Sequence, residues 1–163
     1  MTRCFRIPTP LGEMIALAEQ ESLCGLWFAG QKHAPEPAEE WLYAADCPLF
    51  TRVSSQLGAY FRGKLRTFDL HLAPRGTPFR MAVWEALGRI PYGASVTYGG
   101  LAKELAGERD HLPSARAVGG AVGRNPLAII IPCHRVIGAD GSLTGYAGGL
   151  ERKRALLALE IIR

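Results

Sequence analysis

The sequence predicts an α+β fold in which a small lobe of strands and one helix, residues 1–75, precedes a helical lobe, residues 76–163. Three observations predict this arrangement. Apolar and polar residues alternate at residues 5–7 and 68–72 in the first half, which is typical of strands, whereas apolar residues recur at helical spacing in the second. Between the halves, residues 72–78 contain Pro74, Gly76 and Pro78, which is typical of a connection between lobes.

The first lobe is predicted to contain four strands, at residues 5–7, 13–18, 23–28 and 68–72. A tight turn at residues 9–12 is expected to join the first two, and the mostly polar residues 29–46 are expected to form a loop. Pro48 suits the first turn of a helix, and apolar residues then recur on one face until Gly63 ends that helix.

The second lobe is predicted to be mainly helical. One helix is expected to begin at Phe79 and to end before residues 91–93, and three more are expected at residues 101–106, 114–122 and 150–162. The β-branched residues 129–131 predict a buried strand that leads into Pro132 and Cys133.

The composition is that of a globular protein with a basic charge. Hydrophobic residues make up 48% and charged residues 21% of the chain. The formal charge of +4 and the pI of about 9.0 suit a polyanionic partner. No apolar run approaches the roughly 20 residues of a membrane helix, and no apolar segment typical of a signal peptide follows Met1. We therefore expect a cytoplasmic protein.

The four cysteines, at positions 4, 24, 47 and 133, form no Cys-x-x-Cys pair and are expected to be free thiols. One of them, Cys133, is followed directly by His134, and a histidine within reach can activate a thiol by favouring the thiolate. Neighbouring residues in extended backbone point to opposite sides, so contact requires a bent backbone or a bridging water. Glu160, in the last predicted helix, is a candidate to orient the imidazole. The alternative is a core thiol beside a surface histidine, which is the commoner meaning of an isolated Cys-His pair.

The helices predicted at residues 101–106 and 114–122 form a candidate helix-turn-helix. Ser114 suits the N-cap of the second helix, which apart from Arg116 has almost no bulky side chains. Its glycines weaken a helix, so close approach by a partner is the expected compensation. The alternative is a helix pair that packs together without binding DNA.

Together these segments resemble the O6-alkylguanine-DNA alkyltransferase family. The resemblance covers roughly residues 76–160, about half of the chain, and rests on the stretches GTPFRMAVWEAL, IPYG, VTYGGLA, ARAVGGAVGRNPLAIIIPCHRVIGADGSLTGYAGGLERK and LLALE. The Pro-Cys-His-Arg core followed by Gly-Tyr-Ala-Gly-Gly is highly specific to that family.

The resemblance implies DNA repair by direct transfer of an alkyl group from O6 of guanine, with O4 of thymine as an alternative substrate, to Cys133. His134 and Glu160 would activate the thiol through a water, and Tyr146 would donate a hydrogen bond to N3 of the extruded guanine. The backbone amide of Ala147 would face O6.

The resemblance also assigns roles in holding the base and the DNA. The carbonyls of Cys133 and Val136 would contact the amino edge of the base. Asn125 would connect the second helix of the helix-turn-helix, the recognition helix, to the active-site turn. Tyr98 would press on the phosphate that rotates, and Arg116 would fill the gap that the base leaves. Small residues on the recognition helix suit close approach to the minor groove: Ala115, Ala117, Gly119 and Ala121.

No cofactor is expected, because no Gly-x-Gly-x-x-Gly follows a predicted strand and the alkyl group arrives on the substrate. No metal is expected either, since the cysteines and histidines of the first lobe lack the close ligand spacing of a zinc site. The product thioether contains no good leaving group, so transfer should be irreversible and stoichiometric. The segment at residues 107–113 is a few residues longer than in familiar members, which affects the docking of the first helix rather than the chemistry.

The expected partner is duplex DNA carrying O6-alkylguanine, not a membrane, and the free protein is expected to be a monomer, with cooperative assembly on DNA left open. Two rival functions differ from this one. A relative that only binds alkylated DNA would lack the acceptor cysteine. A Cys-His hydrolase would account for the thiol but not for the Arg116 helix or the basic charge.

Overall fold

The computed structural model describes residues 1–107 and 111–161. The first lobe contains one mixed sheet in the order β3-β2-β1-β4. β2 pairs antiparallel with both β1 and β3, and the short β4 pairs parallel with β1. The strands are β1 (Thr2–Ile7), β2 (Met14–Glu19), β3 (Ser22–Phe28) and β4 (Leu42–Tyr43). Helix α1 (Pro48–Phe61) follows, with Pro48 in its first turn, and buries Phe50, Val53 and Leu57 in the core.

The second lobe is built from four helices: α2 (Pro78–Gly88), α3 (Tyr98–Ala106), α4 (Ala115–Gly123) and α5 (Leu150–Leu159). The first three begin as their sequences require, because the side chains of Thr77, Thr97 and Ser114 each accept a hydrogen bond from a backbone N–H of the first turn. Two short parallel strands, β5 (Val96–Thr97) and β6 (Val136–Ile137), flank the site described below. The predicted α+β class is confirmed.

Backbone hydrogen bonds connect the sheet to the segment that precedes Cys133. Leu26 in β3 donates its N–H to the Pro126 carbonyl at 2.8 Å, and its own carbonyl accepts from the N–H of Ala128 at 2.9 Å. The side chains of Leu26, Leu127 and Ala128 are all buried in the common core. The sheet therefore fixes the position of the chain just before the candidate nucleophile.

The strand predicted at residues 68–72 is wrong. Only Leu72 bridges the sheet, beside Leu23. The reason lies at Asp69, whose N–H and carbonyl bond at 2.9 and 3.0 Å to the side-chain amide of Gln56 in α1. Backbone groups that are already bonded to a side chain are not available to a strand partner. The loop predicted at residues 29–46 is confirmed except that it contains β4.

The strand predicted at residues 129–131 is also wrong, because these residues form a tight turn. Ile129 adopts a φ of +72°, which is unusual for a β-branched residue, and the N–H of Ile131 bonds back to the Leu127 carbonyl at 2.9 Å. The Asn125 side chain holds both ends of this turn, accepting from the N–H of Leu127 at 3.0 Å and donating to the Ile131 carbonyl at 2.7 Å.

Two further predictions fall partly outside the described residues. The last helix was expected over residues 150–162, whereas α5 ends at Leu159, and Ile162 lies outside the described part of the chain. Residues 108–110 of the long 107–113 segment lie outside it as well. The division into lobes at residues 75 and 76 stays a prediction. No helix among the described residues is both long and apolar enough to cross a membrane.

Candidate active site

A cavity of about 320 Å³ opens beside Cys133. The Cys133 side chain lines it and is 7% exposed, so the thiol is buried but reachable. The cavity receives residues from five parts of the fold: the loop after β3, the start of α3, the C-terminal half of α4 with the residue that follows it, the turn at Cys133, and the segment before α5. Its lining consists of Lys32, His33, Tyr98, Gly119, Gly120, Val122, Gly123, Arg124, Cys133, Gly145, Tyr146 and Ala147.

Cys133 begins a single 3₁₀ turn, Cys133–Arg135, rather than following an extended strand. The backbone is therefore bent at Cys133 and His134, although the thiol makes no hydrogen bond to the His134 ring among the described residues. Asn125 stabilises the approach to the 3₁₀ turn, because the hydrogen bonds of its side chain span the turn before Pro132. Asn125 is itself buried and follows directly on the end of α4, which agrees with the tying role expected from the resemblance.

The Glu160 carboxylate is the centre of a buried hydrogen-bond network behind the thiol. Its Oε2 lies 2.6 Å from His134 Nε2, and its Oε1 accepts from Arg135 Nε at 2.7 Å. The hydroxyl of Tyr60 in α1 also donates to Oε2. Arg135 is held in turn by the Ile90 carbonyl, which accepts from one of its terminal nitrogens at 2.6 Å.

The electrostatics of this network define the state of the imidazole. Burial alone would raise the pKa of Glu160, but the hydrogen bonds from His134 and Arg135 hold it at about 2, so the carboxylate is ionised. Burial lowers the pKa of His134, which is therefore neutral near pH 7. A neutral imidazole that faces a carboxylate through Nε2 carries its proton there. His134 Nδ1 is then left with a free lone pair, and it is buried without a hydrogen-bond partner among the described residues.

Burial raises the pKa of the Cys133 thiol, so the resting side chain is a thiol and not a thiolate. The Asn125 side chain, the Lys153 ammonium and the Tyr146 hydroxyl oppose this rise. The Tyr146 hydroxyl lies close enough to influence the thiol, yet it is buried and makes no hydrogen bond of good geometry with any residue that the structure describes. A thiol of raised pKa needs a base before it can attack, and Nδ1 of the neighbouring His134, unpartnered within the described part of the chain, is the candidate for that base.

The segment before α5 is fixed from both sides. Lys153, fully buried, donates from Nζ to the carbonyls of Thr144 and Gly145 at 2.9 and 3.1 Å. From the first lobe, the N–H of Lys32 donates to the Ala147 carbonyl at 3.0 Å. These bonds hold the Tyr146 ring and the Ala147 backbone at the cavity. This role could not be predicted from the sequence, because a lysine in an amphipathic helix ordinarily faces solvent.

Only glycine fits at position 148, for a steric reason. A Cβ at this position would lie 2.6 Å from the Tyr146 ring and 3.2 Å from the ring of Phe28. The glycine therefore lets β3 and the Tyr146 segment approach closely.

Helix α4 presents Arg116 to solvent in its first turn, together with the exposed Ala115 and Ala117. Gly119 is partly buried beneath the ring of Tyr98, to which an added Cβ would approach within 3.8 Å. Ala121 does not support its predicted contact with DNA. Its side chain is 3% exposed and its carbonyl accepts from the indole of Trp84 at 2.9 Å, so this residue faces the core.

Tyr98 begins α3 and lines the cavity, with its hydroxyl donating to the Thr144 carbonyl at 3.3 Å. Val136 lies in β6 with its side chain fully buried and does not line the 320 Å³ cavity, so contact through its carbonyl stays a prediction. Three basic residues at the cavity were not anticipated from the sequence: Lys32, His33 and Arg124. Burial and the neighbouring cations lower the pKa of His33, so only Lys32 and Arg124 contribute positive charge near pH 7. All four cysteines are free thiols. Within the described residues no group of three or more metal-binding side chains is assembled.

The depressed pKa of Glu160 predicts a specific loss of stability in acid. A carboxyl group whose pKa falls from 4.5 to about 2 on folding stabilises the fold by about 3 kcal/mol above pH 4.5, and this contribution is lost as the pH falls toward 2. Glu160→Gln should therefore lower the free energy of unfolding at about pH 6. The difference in this free energy between parent and variant should be smaller by about 2 kcal/mol near pH 3. Urea unfolding at both pH values measures it. A difference of constant size would show that the carboxylate contributes no pH-dependent stability.

Comparison with known proteins gives the following matches. Two family models match the chain: the 6-O-methylguanine DNA methyltransferase ribonuclease-like domain over residues 3–74, and the DNA binding domain of the same name over residues 78–162. The methylated-DNA–protein-cysteine methyltransferase of Methanosarcina acetivorans is 46% identical over 93% of this chain and 94% of its own. That of Haemophilus influenzae is 44% identical over 95% of this chain and 84% of its own.

Among solved structures, that of Mycobacterium tuberculosis OGT in complex with DNA has a TM-score of 0.88 and 43% identity, and the match covers 98% of this chain and 92% of that one.

Proposed function

Because this chain belongs to the 6-O-methylguanine DNA methyltransferase family, we propose that Cys133 is the cysteine that accepts an alkyl group from O6 of guanine in DNA. The chain is a DNA-repair methyltransferase, which removes the lesion by direct transfer to the protein. The observation that carries the choice of Cys133 is its setting: a buried thiol at a cavity, followed by a neutral imidazole that Glu160 orients.

Transfer exchanges one bond for another. The sulfur of Cys133 bonds to the alkyl carbon as the bond from that carbon to O6 breaks, and the electron pair of the broken bond stays with guanine. The thiol proton passes to His134 Nδ1, directly or through a water, and guanine takes up one proton. The products are guanine and S-alkylcysteine, so no methyl donor is consumed.

Tyr146 is proposed as the group that helps guanine to leave. Burial raises the pKa of its hydroxyl well above the ordinary value, so it remains an O–H donor throughout the reaction. A buried donor without a partner among the described residues is costly unless a ligand accepts its hydrogen bond. Donation to N3 of guanine would satisfy it and stabilise the charge that develops on the base. The amide of Ala147 would face O6, and the carbonyls of Cys133 and Val136 the amino edge.

Helix α4 is proposed to lie along the minor groove of the damaged duplex. Its exposed surface carries Ala115 and Ala117 beside Arg116, and small side chains allow a close approach to the sugar-phosphate edges. Arg116 would occupy the space that the extruded nucleotide leaves, and Tyr98 would press on its phosphate. O6-alkylguanine as the preferred lesion, a monomer in the free state, and a cytoplasmic location complete this proposal.

Transfer is expected to stop after one event per molecule. When methylated duplex is in excess over purified protein, the methyl groups transferred should plateau at about one per active molecule, because no ordinary nucleophile displaces a thiolate from carbon. The reaction should proceed without an added methyl donor or metal. Quantifying radiolabelled methyl groups on the protein over time measures the plateau. Continued turnover would contradict the mechanism, whereas no transfer at all would reject the function.

A further inference from the structure

Tyr60 connects the first lobe to the relay behind Cys133. It lies in the last turn of α1, a hundred residues before Glu160 in the sequence, and its side chain is fully buried. The rings of Phe61, Phe68 and Tyr92 surround it, at centroid distances between 5.3 and 6.3 Å. These contacts hold the ring, so the direction of its hydroxyl is determined by packing in the core.

That hydroxyl donates to Oε2 of Glu160, the same oxygen that faces His134 Nε2. Burial and the negative charge of Glu160 raise the pKa of Tyr60 far above its ordinary value, so the group is always an O–H donor. With Arg135 on Oε1, the carboxylate therefore receives three donors, and Tyr60 and His134 share one oxygen.

We propose that Tyr60 is a positioning residue for alkyl transfer, which acts through the Glu160 carboxylate on the orientation and basicity of His134. The inference rests on the proposed function only in so far as it concerns the transfer rate. Its effect on His134 is a property of the protein without DNA.

Two consequences follow from sharing one oxygen. The Tyr60 hydroxyl restrains the carboxylate from rotating, which keeps His134 Nδ1 directed away from Glu160. It also withdraws negative charge from Oε2, which makes this oxygen a weaker hydrogen-bond acceptor for His134 than a carboxylate oxygen with no second donor. The imidazole therefore remains neutral to lower pH. Without this hydroxyl, His134 should be protonated more readily and should be lost as a base in mild acid.

The other groups around His134 and Glu160 stay the same when only the Tyr60 hydroxyl is removed. From the 3₁₀ turn, Arg135 faces both Glu160 and His134, and Cys133 precedes His134 in the chain. The ammonium of Lys153 acts on His134 from α5, and the Tyr146 hydroxyl lies within electrostatic range of Glu160. The Tyr92 hydroxyl interacts with Tyr60. The change in the titration of His134 therefore isolates the contribution of Tyr60.

Tyr60→Phe removes the hydroxyl and keeps the ring. Tyr92→Phe is a matched control, because the Tyr92 hydroxyl bonds to the Leu159 carbonyl at 3.3 Å rather than to Glu160, while its ring packs against Tyr60. Both variants lose one hydroxyl from the same aromatic cluster. Thermal unfolding of both gives the purely structural cost of that loss.

The direct test is an NMR titration of the imidazole nitrogens of His134 in the unreacted protein, with His134 assigned through His134→Gln. Tyr60→Phe should raise the midpoint of His134 by about one pH unit relative to the parent, a tenfold change in proton affinity. Tyr92→Phe should match the parent. Identical His134 signals in Tyr60→Phe and the parent at every pH would overturn the inference.

The transfer rate supplies the second readout. Tyr60→Phe should react about tenfold more slowly than the parent on the acid side of the pH profile and within about twofold of it on the basic side, because the base is recovered as the pH rises. An equal loss at every pH would show that Tyr60 has only a structural role. Absence of transfer by the parent would reject the proposed function, while the NMR titration would still decide the inference.

Discussion

Replacing Cys133 with serine is expected to lower the rate of methyl transfer by at least roughly a thousandfold, which is the largest effect of any single substitution in this protein. A thiolate is a strong nucleophile, whereas a serine hydroxyl in the same place has a pKa far too high for His134 to deprotonate it. The fold should survive, since serine is close to cysteine in size and the Asn125 side chain and Tyr146 hydroxyl beside the thiol can hydrogen-bond to it. Binding to methylated duplex should therefore remain close to that of the parent.

The other cysteines provide the control. Cys4 and Cys24 are half-buried free thiols in the strands of the first lobe, and burial raises the pKa of Cys24. Cys4→Ser and Cys24→Ser should each transfer methyl groups within about twofold of the parent rate. Single-turnover kinetics on methylated duplex, with binding measured in parallel, separate these cases. Substantial transfer by Cys133→Ser, or its loss in either control, would contradict the assignment.

Replacing Arg116 with alanine is expected to slow repair of duplex DNA about a hundredfold while leaving the chemistry intact. Extruding a stacked nucleotide costs a few kcal/mol, and a side chain that fills the gap offsets part of that cost. Arg116 is exposed in the first turn of α4 and lies outside the lining of the cavity, so its loss should leave the thiol and the pocket unchanged. Free O6-benzylguanine, if the cavity admits it, needs no extrusion and should react at nearly the parental rate.

Arg116→Lys distinguishes charge from shape. Lysine keeps the phosphate attraction and its dependence on salt, but it lacks the flat guanidinium face that can take the place of a base. Compared with Arg116→Ala, Arg116→Lys should therefore recover DNA binding to a greater extent than it recovers the repair rate on duplex. Equal rates for lysine and arginine would favour a simple charge contact, and equal losses on duplex and free base would assign Arg116 to the fold.

The elements that the sequence predicted well are those in which local pattern and tertiary environment agree. Ser114 was predicted as the N-cap of α4 and caps it, whereas α3 begins at Tyr98, three residues before the predicted start. The strands predicted at residues 5–7, 13–18 and 23–28 correspond to β1, β2 and β3. The two wrong strands fail for one reason. At Asp69 and at Ile131, side-chain amides of Gln56 and Asn125 take the backbone hydrogen bonds that a strand would need. Such bonds depend on which residues meet in the folded chain, and they leave no periodic pattern in the sequence.

The candidate site divides in the same way. Cys133, His134 and Glu160 were predicted together from the short and highly specific Pro-Cys-His-Arg segment. The structure pairs His134 with Glu160 and places Cys133 in the same 3₁₀ turn as His134. Tyr60 and Lys153 were missed, because each occupies a position in an amphipathic helix that the pattern assigns to core or solvent. Their roles depend on distances across the fold: from Tyr60 to Glu160, and from Lys153 to the Thr144 carbonyl.

The central claim is that Cys133 keeps the alkyl group, and mass spectrometry of the protein after reaction with O6-methylguanine duplex tests it most directly. The intact chain should gain the mass of one methylene unit, and fragmentation of its peptides should place the added methyl group on Cys133 alone. The DNA should contain unmodified guanine at the former lesion in equal amount. A methyl group on Cys4, Cys24, Cys47 or any other residue, or repaired DNA without a gain in protein mass, would contradict the mechanism.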